Sequence, residues 1–234
     1  MSSHTMEVIA RIRTDFPDKF GIPRQSGLVE TLEADIVFEP AYRNADALRG
    51  LEEYSHIWLI WQFSRSVREG DWSPTVRPPR LGGNTRMGVF ATRSPFRPNP
   101  IGLSCVRLKK VVLSGPDGPR LCVCGADLVD GTPIYDIKPY LPYADAHPEA
   151  VGGFAREDAG ETLQVEFPSE LLSRIPPAKQ QGLLGVLARD PRPAYQNKPE
   201  RVYRMSFAGM DVHFRVEDGV LRVCDVTEQN KPNE

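Results

Sequence analysis

One segment of the chain, residues 75–104, concentrates arginine side chains that could bind an anion or the edge of a nucleobase. Its sequence, TVRPPRLGGNTRMGVFATRSPFRPNPIGLS, contains no lysine and no acidic residue. Prolines fix the backbone beside several of these arginines, and glycines free it elsewhere. Because a guanidinium presents a planar fork of N–H donors, such a stiffened loop suits phosphate, carboxylate or base recognition. We call these residues the arginine segment; its cations are Arg77, Arg80, Arg86, Arg93 and Arg97.

A second segment, residues 127–145, carries the opposite charge. In DLVDGTPIYDIKPYLPYAD, aspartates are interspersed with tyrosines. Its carboxylates are natural electrostatic partners for the arginine segment, so we expect the two segments to form one polar site. A scaffold role is equally open, in which Arg77 and Arg80 pair with Asp136 or Asp145. The acidic and aromatic side chains are Asp127, Asp130, Asp136, Asp145, Tyr135, Tyr140 and Tyr143.

Bulk composition limits the classes of function. The chain has 234 residues, a formal net charge of −2 at pH 7, 40% hydrophobic and 26% charged residues. A uniformly basic RNA binder is therefore excluded, and any RNA contact must come from local patches. The N-terminus lacks the apolar core of a signal peptide, and no apolar run approaches the roughly 20 residues that span a bilayer. We expect a cytoplasmic protein that does not enter the membrane.

The cysteines and histidines do not suggest a metal site. Cys122 and Cys124 are two apart in a predicted strand, which is not the spacing of a zinc knuckle. The histidines are scattered along the chain, and reduced, structural cysteine fits a cytoplasmic protein. We expect no bound metal.

Strand patterns dominate the first part of the chain. Short apolar or alternating stretches separated by turn residues predict successive antiparallel strands, which is typical of a barrel or a sandwich. The stretch 54–63 is almost wholly apolar, which predicts a strand buried on both faces. A short helix is predicted at 45–51. The other predicted strands are 8–13, 28–39, 88–92, 101–113 and 121–129.

The last third of the chain predicts a smaller α+β domain. A helix is expected over 168–187, interrupted or restarted at Pro176–Pro177, and a three-stranded meander over 202–226. We therefore expect domains at 1–145 and 168–234, joined by a linker at 146–167.

Several catalytic motifs are absent from the sequence. No GxGxxG follows a predicted strand, and neither GxxxxGK[ST] nor GxSxG occurs. A doubly wound dinucleotide fold, a P-loop and a serine hydrolase are therefore disfavoured. The residues alone leave the cofactor and the reaction open.

Residues 77–104 and 127–145 resemble the TsaA/VirR-like family, and PRQ (23–25) and DPRPAY (190–195) extend the likeness to its bacterial tRNA-modifying members. The resemblance implies a mainly β fold, a single-sheeted antiparallel β-barrel with a small C-terminal α+β domain. It also implies S-adenosylmethionine-dependent methylation of the exocyclic nitrogen of threonylcarbamoyladenosine, at tRNA position 37 beside the anticodon of threonine tRNA. A homodimer with cofactor sites near the subunit interface is implied as well.

The resemblance also assigns site residues. The positions that match the family's cofactor pocket are Pro23, Arg24, Gln25, Phe63, Ser64, Arg93, Leu103, Asp127, Leu128, Val129, Asp130, Gly131 and Thr132. Ser64 is a position where relatives differ in residue type, so its side chain should matter least.

We assign catalytic and RNA-binding roles as hypotheses. Asp130 would hold the cofactor, and Asp130, Tyr140 or solvent would accept the proton that leaves the substrate nitrogen. Arg24 and Arg93 would bind the carboxylate of the cofactor or of the substrate's threonyl group. The expected RNA-binding residues are Arg77, Arg80, Arg86 and Arg97, with Arg192 and Tyr195 of the C-terminal domain.

Two other functions compete with the enzyme hypothesis. A non-catalytic RNA- or nucleotide-binding module would use the same arginines and show RNA affinity that falls steeply with salt. A methyltransferase with the same fold could act on a small molecule or on another RNA.

Overall fold

The computed structural model describes residues 4–66, 72–78, 84–155, 162–192, 198 and 200–229. Twelve strands and three α-helices lie within these ranges. The strands are β1 (Ala10–Arg13), β2 (Glu33–Phe38), β3 (His56–Gln62), β4 (Thr75–Val76), β5 (Met87–Gly88), β6 (Ile101–Val112), β7 (Arg120–Cys124), β8 (Pro133–Pro139), β9 (Gln164–Glu166), β10 (Tyr203–Phe207), β11 (Met210–Glu217) and β12 (Val220–Glu228). The helices are α1 (Pro142–Asp145), α2 (Ser169–Leu172) and α3 (Pro177–Ala188).

A closed barrel forms from six strands in the order β1-β2-β7-β6-β3-β8. Every neighbouring pair is antiparallel, and β1 closes the barrel against β8 with Ala10 opposite Ile134. Alternate residues of each strand point inward, as the period of two requires, and fill the interior with branched side chains. The expected single-sheeted antiparallel barrel is confirmed. Fully buried interior residues include Ile12, Ile36, Ile57, Leu59, Leu121 and Ile134.

Strand β3 alternates in burial, contrary to the expectation of burial on both faces. Ile57, Leu59 and Trp61 are buried, whereas the residues between them are only half-buried. On the outer face of β3, the Trp58 ring packs beside the Tyr140 ring, with centroids 5.8 Å apart. This contact covers Trp58 only in part. An almost wholly apolar strand therefore need not have two covered faces.

The predicted strand at 88–92 is also wrong in extent. Within this stretch only Gly88 belongs to a strand, β5, which pairs with β4, and a 3₁₀ turn follows at Val89–Ala91. The Thr92 hydroxyl donates to the Val89 carbonyl and holds this turn. The strands β4 and β5 thus form a separate ribbon. The predicted short helix at 45–51 is likewise a pair of 3₁₀ turns, at Ala45–Leu48 and Leu51–Glu53.

The C-terminal part forms a four-stranded sheet in the order β10-β11-β12-β9, with α2 and α3 beside it. The helical stretch breaks before Pro177, as predicted, because proline is tolerated in the first turn of a helix but not in its interior. Strand β9 pairs in parallel with β12, although it lies in the stretch 146–167 that we expected to be a linker. The end of that stretch therefore belongs to the sheet.

The connection between β1 and β2, residues 14–32, packs against this C-terminal sheet. Phe16 and Val29 belong to the same buried core as Phe207 and Phe214. The Phe16 and Phe207 rings meet edge to face with centroids 5.3 Å apart. The connection therefore belongs to the core of the C-terminal sheet, whereas the barrel interior forms a core of its own.

Gly102 allows the barrel strands β3 and β6 to pack closely. It lies opposite Trp61, and a Cβ added at Gly102 would meet the indole ring at 2.2 Å. Because Trp61 is buried, we expect Gly102→Ala to lower the free energy of unfolding by about 1–3 kcal/mol. Urea denaturation checks this. Gly88→Ala is the control, since its Cβ would meet nothing within 4 Å. Equal denaturation midpoints for the two variants would contradict this account of the packing.

Candidate active site

A cavity of about 590 Å³ opens where β3, β6 and the connection 14–32 approach one another. Its wall combines apolar side chains with charged ones. Of the residues expected to bind cofactor, those that line it are Pro23, Arg24, Gln25, Phe63, Arg93, Leu103 and Asp127. These residues come from four separate stretches of the chain, so the barrel fold is what brings them together.

Arg93 bridges two of these stretches. Its guanidinium donates a hydrogen bond to the side-chain oxygen of Gln25. This contact fixes the arginine segment against residues 23–25. The remaining guanidinium N–H groups of the exposed Arg93 can therefore serve a bound anion.

Asp127 lies at the end of a chain of buried hydrogen bonds. The Trp61 indole N–H donates to the Ser104 hydroxyl at 3.0 Å, and that hydroxyl donates to the Asp127 carboxylate at 2.6 Å. Burial raises the pKa of Asp127, while the bond from Ser104 and the charge of Arg93 oppose the rise. Asp127 is thus an oriented carboxylate that is more basic than a free aspartate.

The turn after Asp127 is bonded to the start of the connection 14–32. The backbone N–H of Thr14 donates to the Asp130 carboxylate at 2.9 Å, and the backbone N–H of Asp130 donates to the Phe16 carbonyl at 2.8 Å. Leu128 is buried in the barrel core, and Thr132 is buried with its hydroxyl on the Val129 carbonyl. These residues hold the start of the connection 14–32. Within the turn, only Asp127 lines the cavity; those that do not are Leu128, Val129, Asp130, Gly131 and Thr132.

Two of the three residues proposed as catalytic, Asp130, Tyr140 and Arg93, do not line the cavity. Asp130 contacts Thr14 instead of the cavity, and Tyr140 packs outside the barrel against Trp58 and His56. Ser64 is exposed and follows Phe63 without lining the cavity. Arg93 is the expected catalytic residue that does line it.

Within the described residues, the carboxylates of residues 127–145 other than Asp127 interact with groups outside the arginine segment. Asp136 pairs with Lys138 at 2.9 Å, and Asp145 accepts hydrogen bonds from the Trp58 indole and the Leu141 backbone. Of the four carboxylates, Asp127 is the one that lines the cavity. The other three accept from or pair with nearby groups: Asp130 with the Thr14 backbone N–H, Asp136 with Lys138, and Asp145 with Trp58 and Leu141.

The expected RNA-binding residues other than Arg192 divide into three groups. Arg77 and Arg86 are exposed and make no ion pair within the described part of the chain. Arg97 lines the cavity and donates to the Thr92 carbonyl at 3.0 Å. Arg80 and Tyr195 lie outside the described residues.

Arg192 is better explained as a structural residue. Its side chain is only 10% exposed, and two of its guanidinium nitrogens donate to the Asp190 carboxylate at 2.8 Å. The guanidinium also lies over the Tyr203 ring, 5.9 Å from its centroid. These contacts hold the Arg192 guanidinium against Asp190 and Tyr203.

Some residues of the site were missed by the sequence analysis. Trp61 and Ser104 orient Asp127, and Phe90 adds an exposed ring to the cavity wall. A signal for Ser104 exists in the sequence, because it occupies an inward position between Gly102 and Val106 on β6. A buried serine in an apolar alternation needs a polar partner. Nothing in the sequence identifies that partner.

A second cavity, of about 470 Å³, lies beside Arg13, Lys110 and Arg120. Its charges are largely paired internally: Lys179 bonds Asp15 at 2.7 Å, and Arg120 lies 3.7 Å from Asp35. None of the expected site residues lines it. The described residues also contain no cluster of three histidine, cysteine or acidic side chains able to hold a metal, and no helix long and apolar enough to cross a membrane.

Comparison with known proteins finds relatives for both parts of the chain. Residues 11–146 match the model of the tRNA-methyltransferase O N-terminal domain, and residues 160–229 match that of the TrmO C-terminal domain. A curated Escherichia coli tRNA (adenine(37)-N6)-methyltransferase is 45% identical over 231 residues, covering 95% of this chain and 97% of the relative. An Eikenella corrodens protein of the same name is 49% identical over 171 residues, covering 73% and 95%.

The fold agrees with a solved structure as well. The crystal structure of TrmO from Pseudomonas aeruginosa superposes with a TM-score of 0.78 at 34% identity, covering 98% of this chain and 99% of that one. Matches therefore extend over both the barrel and the C-terminal sheet. This protein belongs to the TrmO family of tRNA methyltransferases.

Proposed function

We propose that this enzyme transfers a methyl group from S-adenosylmethionine to the exocyclic nitrogen of threonylcarbamoyladenosine at position 37 of threonine tRNA. The observation that carries the proposal is the cavity in which Arg93, Gln25 and Asp127 meet beside an apolar wall. Family membership supplies the reaction class, and the curated relatives named above act on adenine 37. The threonylcarbamoyl group and the choice of threonine tRNA extend beyond those names.

The residues of the cavity suit the parts of the methyl donor. Phe63 and Leu103 offer apolar surface for an adenine ring, and a carboxylate such as Asp127 suits hydroxyl or ammonium donors. Arg24 and Arg93 supply guanidinium groups for a carboxylate. When bound, the donor supplies an electrophilic methyl group on a positively charged sulfur. Catalysis then depends mainly on how well the chain positions the two reactants.

We propose that Asp127 accepts the proton from the substrate nitrogen. The N–H bond must break when the N–C bond to the methyl group forms, so the proton needs an acceptor within reach. Asp127 lines the cavity, is oriented by Ser104 and is more basic than a free aspartate, because burial raises its pKa. These features favour Asp127 over Asp130 and Tyr140, which lie away from the cavity.

The proposal includes a cytoplasmic homodimer acting on the anticodon loop. Cofactor sites near a subunit interface are implied by the family resemblance, and free tRNA is the expected substrate. Sedimentation at micromolar concentration tests the dimer: a mass of about twice the 26.2 kDa chain is expected.

Labelled methyl transfer tests the proposed function against its rivals. The substrates are threonine tRNA from cells lacking this protein, the same tRNA without its threonylcarbamoyl group, and unrelated tRNAs. We expect label only in the threonylcarbamoylated threonine tRNA. RNA binding without transfer would favour the non-catalytic module. Transfer that ignores the threonylcarbamoyl group would favour another substrate for the same fold.

Arg93→Ala is expected to weaken S-adenosylmethionine binding about 10- to 100-fold, because hydrogen bonds to a charged group are lost. The fold should be unaffected, since Arg93 is exposed and contacts Gln25 through its guanidinium. Calorimetric titration measures the affinity, and thermal melting checks the fold. Arg93→Lys is the matched control: it keeps the charge but not the planar fork, and it should recover only part of the affinity. If Arg93→Ala bound S-adenosylmethionine with wild-type affinity, Arg93 would not contact the donor.

A further inference from the structure

Two exposed aromatic rings stand beside the cavity. Trp72 is 50% exposed and Phe90 is 72% exposed, and their ring centroids lie 5.9 Å apart at an interplanar angle of 32°. Phe90 also lines the cavity, so this pair continues its apolar wall outward. Large exposed aromatic surface next to a binding cavity is typical of an interaction site.

The β4–β5 ribbon sets the positions of these rings relative to two arginines. Thr75 pairs with Gly88 and Val76 with Met87, and the Val89 backbone N–H donates to the Pro74 carbonyl. Trp72 and Phe90 therefore flank one end of the ribbon. The next residues in register at the other end are Arg77 and Arg86.

The charges around the rings identify the kind of partner. Arg77 and Arg86 are exposed and without an ion pair in the described ranges, and the stretches 72–78 and 84–104 contain no acidic residue. At about 3.3 Å per residue, the aromatic end and the arginine end lie on the order of 15 Å apart. That span accommodates two or three nucleotides of an extended strand. A polyanion with flat apolar faces, which is single-stranded nucleic acid, complements both ends.

We propose that this ribbon holds the RNA strand that flanks the target nucleoside. Trp72 and Phe90 stack an unpaired base at the mouth of the cavity, and Arg77 and Arg86 bind phosphates of the same strand. The inference rests on the proposed function, since the target nucleoside lies in an unpaired anticodon loop. It assigns substrate positioning to two aromatic residues with no part in binding the methyl donor's charged groups.

Fluorescence anisotropy with a labelled RNA hairpin of the threonine anticodon arm tests the aromatic pair. We expect Trp72→Ala and Phe90→Ala each to weaken RNA binding about 5- to 100-fold, which is the range for losing one stacked base. In steady-state kinetics, the KM for tRNA should rise in Trp72→Ala, while the Kd for S-adenosylmethionine stays the same. Trp72→Phe should retain most of the RNA affinity. Tyr143→Ala is the control, as Tyr143 is an exposed aromatic residue on α1.

Salt dependence tests the arginines. Arg77→Ala and Arg86→Ala should each reduce the slope of log affinity against log salt by about 1, because each removes one phosphate contact. Trp72→Ala should leave that slope unchanged. The two kinds of contact are thus separated in one series of titrations.

Three outcomes are informative. Unchanged RNA affinity in both Trp72→Ala and Phe90→Ala, with normal methyl transfer by the wild type, overturns this inference and spares the proposed function. Dissociation of a dimer in these variants also overturns it, because the rings would then form a subunit interface. RNA binding that depends on the ribbon, in a wild-type protein that transfers no methyl group, supports the inference and defeats the proposed function.

Discussion

Replacing Asp127 with asparagine is expected to lower the rate of methyl transfer about 10²- to 10⁴-fold, the usual contribution of a positioned general base. Asparagine keeps the shape and can still accept the hydrogen bond from Ser104, so the cavity should be preserved. What is lost is the ability to take a proton. Single-turnover transfer of labelled methyl groups, with both substrates saturating, isolates this step from binding.

The pH dependence of the wild-type rate gives an independent test of Asp127. Burial raises its pKa above the usual value of 3.8. The protonated carboxyl cannot accept a proton, so the rate should fall as the pH is lowered through this raised pKa. Asp127→Asn should lack that acidic limb. Asp136→Asn, which changes a surface acid paired with Lys138, should keep both the rate and the limb. A wild-type rate in Asp127→Asn would mean that solvent or another group accepts the proton.

The same pKa has a consequence for stability, with a definite sign. Because folding raises the pKa, folding favours the protonated form of Asp127. Its contribution to stability is complete at low pH and is lost as the pH rises through the raised pKa. Asparagine is neutral throughout, so Asp127→Asn should be no less stable than the wild type at neutral pH. An activity loss there would therefore not reflect unfolding.

Gly21→Ala is expected to weaken S-adenosylmethionine binding tenfold or more, although Gly21 does not line the cavity. It lies two residues before Pro23, and a Cβ there would meet the Met205 sulfur at 2.1 Å. Its φ of +93° is also a conformation that alanine adopts only with strain. Met205 is fully buried, so we expect the clash to displace the backbone at Gly21 and with it residues 23–25. Calorimetric titration with S-adenosylmethionine measures the effect.

Gly209→Ala is the matched control for this substitution. Gly209 has a φ of +78° in the turn between β10 and β11, and its Cβ would meet nothing within 4 Å. Both variants thus carry the same kind of backbone strain, of about 1 kcal/mol, but only one pushes on the connection 14–32. Donor affinity that falls equally in the two variants would show a general loss of stability instead of a displaced loop.

If Gly21→Ala weakens donor binding, the C-terminal sheet affects the proposed cofactor site through the connection 14–32. Phe20 stacks with Phe214 at 6.5 Å, and the Ala208 backbone N–H donates to the Asp15 carbonyl at 2.9 Å. Together with the ion pair between Lys179 and Asp15, these contacts hold the base of the connection. We therefore expect the C-terminal part to support donor binding by holding the connection 14–32 in place.

Much of the barrel could be predicted from the sequence, because strand alternation is local. In β1 and β2, apolar residues recur at every second position; in β6, buried residues alternate with less buried ones from Ile101 to Arg107. Turn residues separate the strands. Residues 88–92 misled the same reasoning. Val89 and Phe90 have strand propensity, but Phe90 turns outward and stays exposed.

The site was only partly predictable, because the direction of a side chain within a turn depends on contacts with residues far away in the sequence. Asp127 and Asp130 are three residues apart, and the backbone reverses at Gly131, where φ is +75°. The Asp127 carboxylate lines the cavity, whereas the Asp130 carboxylate accepts from the Thr14 backbone N–H. The packing of Phe16 on Phe207 joins residues far apart in the chain, and no periodicity reports such a contact.

A crystal structure of the protein with S-adenosylhomocysteine tests the central claim most directly. We predict that the ligand lies in the cavity bounded by Gln25, Phe63, Arg93, Leu103 and Asp127. Its carboxylate should contact a guanidinium of the arginine segment or Arg24. A ligand found instead in the second cavity, beside Arg13, Lys110 and Arg120, would contradict the assignment of the site and the roles given to Arg93 and Asp127.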